Sequence, residues 1–158
     1  MGTEHITSQT VRRVVVEELY TEAMALADEA RGTFDPRGIE GGAQLSDEAK
    51  VALSIEGLRT TTRLMNLLAW LLNQRAFFDG ELTEKQLRKS ARLPAERPAV
   101  PGTAAKLPLM VRSLVRDSER LHARVARIGG DWRASEAAAA EMNDANALQS
   151  RLKSAFAA

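Results

Sequence analysis

Ile55–Leu82, IEGLRTTTRLMNLLAWLLNQRAFFDGEL, is the stretch whose reading decides the fold. Between Leu64 and Leu72 only Asn66 interrupts an apolar run. A helix carrying that run is apolar around nearly its whole circumference and has to be covered on several sides. The run is flanked by Arg63 and Arg75 and falls far short of the roughly 20 apolar residues that a bilayer span needs. The stretch therefore predicts the central helix of a bundle in water, one that also pairs with a second copy of itself.

Working outward, Ser46 starts this helix. Its hydroxyl can accept from orphan backbone N–H groups, and Asp47 and Glu48 oppose the positive end of the helix dipole. The helix is expected to run to about Asp79, where Gly80 supplies a left-handed C-terminal position. Thr83 and Gln86 form a capping box, with Leu82 and Leu87 spaced as a hydrophobic staple, and a short helix should follow to about Arg92. Residues 93–104 are a proline-rich linker that no helix crosses.

Upstream, a helix is predicted from about Thr10 to Ala30, with Val11, Val15, Leu19, Ala23, Leu26 and Ala30 as its apolar face. Residues 31–45, rich in Gly, Pro and Asp, read as a loop. Downstream, Leu107, Val111, Leu114, Val115, Leu121, Val125 and Ile128 make the face of a helix from about Lys106 or Pro108, and Gly129 and Gly130 should end it. The Ala-rich remainder, 131–158, has a thin apolar face of Met142, Leu148, Leu152 and Phe156 and is expected to be a weakly packed tail. The fold class is then all-α: an up-down bundle of three long helices plus a short one over residues 1–130, homodimeric, followed by the tail.

Composition agrees with helices, since Ala and Leu supply the bulk and aromatics are 4%. A chain of 158 residues suits one domain with a sizeable core. Cysteine is absent, which excludes a disulfide framework and thiolate chemistry. MGTEHITSQT has no apolar stretch after a basic start, so no secretory signal is read and a cytoplasmic location is expected. A net charge of +1 is no signature of nucleic-acid binding.

Catalysis finds little support. The histidines are His5, in a start expected to be disordered, and His122, at the edge of an apolar face, where a structural role is the ordinary reading. No metal-binding His pair, nucleophile elbow or phosphate loop occurs. Glu119 and His122 make one Glu-x-x-His unit, but a diiron bundle needs two. No enzyme activity, cofactor or metal is expected.

Three constellations suit binding. Arg112, Arg116, Arg120 and Arg124 recur at spacings of four, stacking into a basic stripe that could dock an acidic protein surface or simply face solvent. Arg59, Arg63, Asn66, Trp70 and Asn73 share one stripe of the central helix, a mixture that suits either a protein interface or polar packing inside the bundle. TEKQLRKSAR offers Lys85, Arg88, Lys89 and Arg92 to phosphates after a turn, so a DNA-binding or transcription-associated regulator is the alternative. The helix before that turn is much longer than a helix-turn-helix uses.

LRTTTRLMNLLAWLLNQRAFFDGELT, and more loosely LVRDSERLHARVARI, resemble a small alphaproteobacterial family catalogued as a domain of unknown function, the RcdA-like family that includes the regulator of CtrA degradation. The resemblance is strongest from about Ala43 to Leu93 and weakest from Asp131 onward. It implies a homodimeric helical bundle that acts as an adaptor, delivering cell-cycle regulators to the protease ClpXP together with other adaptor proteins.

Overall fold

The computed structural model describes residues 2–35, 45–90 and 92–156, with side chains from Thr7 onward. Helix α1 spans Gly2–Thr33, α2 Asp47–Phe78, α3 Glu84–Ser90 and α4 Leu109–Phe156, with a 3₁₀ turn at Ala104–Lys106. No strand occurs among the described residues. The chain is an all-α bundle of three long helices and a short one. Most of the expected 31–45 loop lies outside the described residues.

The ends of α2 are set by local chemistry. The Ser46 hydroxyl accepts from the Ala49 amide at 3.2 Å. Glu48, in the first turn, accepts from Lys106 Nζ at 2.9 Å, and that hydrogen bond and charge hold its carboxyl below the usual range. The start of α2 is thereby tied to the 3₁₀ turn. At the other end Gly80 adopts φ +78°, a conformation that costs glycine little. This reversal lets the Glu81 and Leu82 amides donate to Ala76 O at 2.8 and 3.2 Å. The capping box then forms: Thr83 N donates to Gln86 Oε1 at 2.8 Å, and Gln86 N to Thr83 Oγ1 at 3.3 Å.

Within residues 1–125, a compact unit, the core is built from Val16, Leu19, Ala23 and Ala30 of α1, Leu64, Leu67, Trp70 and Leu71 of α2, and Leu114, Leu121 and Val125 of α4. A second cluster joins Ala52 and Leu53 to Leu107 and Val111, with Phe34, Leu45 and Val115 packed against it. Gly57 makes room for this end of the bundle, since a Cβ built there would lie 3.0 Å from Phe34 Cδ1. Residues 126–158 form a unit of their own.

Three expectations are corrected. Helix α1 begins at Gly2 rather than Thr10, because no proline interrupts residues 2–9 and a helix already nucleated extends one bond at a time. Its buried face runs through Val16, while Val11 is 57% exposed. A row in steps of four drifts around a helix of 3.6 residues per turn, so Val11 and Leu19 do not share one face. Third, α4 does not end at Gly129 and Gly130 but continues to Phe156. A helical glycine costs only about 1 kcal/mol against Ala, and the Ala-, Glu- and Arg-rich sequence beyond it favours helix. Within the protomer α2 leaves one side open: Leu68 is half-buried, and Met65 and Leu72 are exposed.

Candidate functional site

The buried face of α2 carries charge. Glu56, Thr60 and Arg63 follow one another in steps of four and three among Leu53, Leu64 and Leu67, and all are buried. The Arg63 side chain has no exposed surface. Its Nη1 donates to Ser118 Oγ of α4 at 2.7 Å, and its Nη2 to Glu96 at 2.8 Å and Glu119 at 3.5 Å. Arg59, one turn earlier, donates to the carbonyls of Arg97 and Pro98 at 2.7 and 3.0 Å and lies 3.7 Å from Glu56. His122, also buried, places Nε2 3.0 Å from the Pro94 carbonyl. A carbonyl only accepts, so His122 donates there. Glu56 Oε2, Thr60 Oγ1, Arg59 Nε and Arg63 Nε are buried without a hydrogen-bond partner among the described residues.

Of the mixed stripe read from the sequence, Arg63 and Trp70 thus lie inside the bundle, while Arg59, Asn66 and Asn73 are half-buried. The structure joins Arg59 and Arg63 through the segment 94–98 and does not gather all five residues into one exposed patch. Glu56, Thr60, Ser118 and Glu96 were not anticipated. For Glu56 and Thr60 the sequence held a signal, their phase with Leu53, Leu64 and Leu67. Glu96, far along the chain in a linker, gave none.

The arginine row is split. Arg124 is ion-paired with Glu22 of α1, and Arg120 lies 3.6 Å from Asp117 on its own helix. Arg112 and Arg116 are exposed, and neither has an ion pair among the described residues. Arg88, one of the cations offered to phosphates, pairs with Glu84. The seven-residue α3 has no buried residue.

On the side of α2 opposite the core, Val51, Ile55, Leu58, Thr62, Met65, Ala69 and Leu72 are all exposed, Leu58 by 72% and Met65 by 66%. Their steps alternate four and three, the spacing of a coiled-coil seam. At 1.5 Å per residue this row is roughly 30 Å long. No helix among the described residues is long and apolar enough to cross a membrane. Nor do three or more His, Asp or Glu side chains among them group to hold a metal ion.

Comparison with known proteins follows the same lines. Residues 7–156 match the sequence family described as "Protein of unknown function (DUF1465)". Among solved structures, RcdA from Caulobacter crescentus CB15 is similar at 30% identity and a TM-score of 0.57, over 72% of this chain and 86% of RcdA. No curated protein matches. With nearly all of the sequence inside the family's match and an RcdA-like fold, the chain belongs to the DUF1465 family.

Proposed function

We propose that this protein is a non-enzymatic adaptor of the cytoplasm that brings cell-cycle regulators to a Clp-type protease, working as a homodimer. The observation that carries the reading is the likeness to RcdA, a regulator of CtrA degradation, over 86% of that chain. What the surface offers suits it: an apolar seam and a basic row. The seam on α2 suits self-association, because an exposed apolar row at heptad spacing buries itself best against a second helix of the same pattern. The exposed arginines suit an acidic protein partner, since guanidinium groups pair carboxylates bidentately.

A reconstituted proteolysis assay tests the reading. Purified ClpXP should degrade a cell-cycle regulator faster when this protein and its co-adaptors are present, and a tagged copy should retain ClpX or a co-adaptor from lysate. No acceleration and no such capture would sink the adaptor role. The dimer is tested separately by sedimentation, in which Leu58→Glu with Met65→Glu should shift the protein towards monomer while helicity is kept.

A further inference from the structure

Residues 92–100 run without helix or strand. Pro94 and Pro98 bias this stretch to an extended backbone and remove donors it would need for helix. Apart from half-buried Leu93, every residue in it is exposed, so little apolar surface holds it down. Its hold is polar and comes from side chains beneath. Arg59 donates to the Arg97 and Pro98 carbonyls, Arg63 to the Glu96 carboxylate, and His122 to the Pro94 carbonyl.

Such a hold is weak in net terms. Covering Arg63 strips its water, and the ion pair with a third-exposed Glu96 does little more than offset that loss. On the two arginines that hold the segment, Arg59 Nε and Arg63 Nε are buried and keep no hydrogen-bond partner among the described residues. A segment with few apolar contacts and solvent-facing backbone belongs to the low-stability end of local opening.

We propose that residues 92–100 are a displaceable strap lying in a peptide-binding groove of α2 and α4. The groove's other occupant is an extended segment of a partner protein with a carboxylate in the place of Glu96. The strap displays the recognition chemistry itself: successive main-chain carbonyls on Arg59, one carboxylate on Arg63, one further carbonyl on His122. Main-chain acceptors give affinity in this mode and a single side-chain pocket gives selectivity. Exchange of one carboxylate for another keeps Arg63 paired throughout, so displacement leaves no buried charge alone. The proposal rests on the adaptor reading for its class of partner, a protein, but the groove can be probed with no protease present.

The probe is a fluorescein-labelled synthetic peptide of the strap sequence, RLPAERPAV, added to the full-length protein and followed by anisotropy. Apparent affinity is the intrinsic affinity reduced by the open fraction, so loosening the strap in the chain should expose the site. The full-length Glu96→Gln variant should therefore bind the peptide at least about tenfold more tightly than the parent chain. A peptide with Gln at its single Glu should lose that gain, as should the double variant Glu96→Gln with Arg59→Gln, while both variants keep their helicity. Equal binding to parent and variant, binding indifferent to the peptide's carboxylate, or binding unaffected by Arg59→Gln would each overturn the proposal. A negative result here leaves protease delivery by another surface intact, and a failed delivery assay leaves the groove intact.

Discussion

Arg63 is a cation without solvent contact, held by Ser118 and two carboxylates that are themselves partly exposed. Its aliphatic stem fills core volume beside Leu64 and Leu67, while its head needs partners from α4 and the 94–98 segment. The two roles separate by substitution. Arg63→Ala leaves a cavity and removes the donor to Ser118 Oγ, which keeps only its own bond to the Val115 carbonyl, and unfolding by urea should show a loss of about 3–5 kcal/mol. Arg63→Met keeps the stem's volume, and Glu96 and Glu119 can turn to water, so its loss should stay near about 1 kcal/mol. Equal losses in the two variants would mean that the polar contacts, rather than packing, hold this position. The sequence spaced Arg59, Arg63 and Trp70 along one stripe but left its direction open, and the structure buries Arg63 and Trp70 and half-buries Arg59. Interface and interior residues have the same mixed composition there, and the deciding partners lie some thirty residues away or more. Long-range partners of a linker leave no periodic trace.

Elements were more legible than sites, because caps and breakers act within a few residues. Ser46, Gly80 and the Thr83–Gln86 box each set a helix end where local chemistry requires one. Gly129 and Gly130 were the exception: two glycines look like a stop, yet nothing beyond them competes with helix, and α4 runs through to Phe156. A stop needs a left-handed residue with its own backbone bonds, as at Gly80, and neither glycine of the pair has a positive φ. Space is open at the second, where a Cβ would approach only Arg133 Nη2, at 4.0 Å. Gly130→Ala should therefore strengthen the helix, by up to about 1 kcal/mol. Circular dichroism should show higher helical signal, and amide exchange across residues 128–132 should slow. Faster exchange with lost helicity would mean that the chain needs a break at this point.

At the scale of the whole molecule, a net charge of +1 includes opposite charges matched between distant parts of the chain, as in Arg13 with Asp79, Arg75 with Glu17, and Arg124 with Glu22. Matched pairs at the surface contribute at most about 1 kcal/mol each and leave no local field to attract a partner. Arg112 and Arg116 depart from this pattern, one turn apart and exposed, which narrows the basic row to its first half. If that half docks an acidic face of a co-adaptor or cargo, the double change Arg112→Glu with Arg116→Glu should slow association and remove most of its salt sensitivity, since exposed charges steer encounter more than they hold a complex. Stability should move by only about 0.5 kcal/mol, because neither side chain is buried. Arg124→Glu is the control: it breaks the tie to Glu22 on α1 but should leave partner association nearly unchanged. Stopped-flow association at several salt concentrations distinguishes the cases. Equal slowing by all three changes would make the effect one of general charge, and no slowing by the double change would return Arg112 and Arg116 to a solvated face.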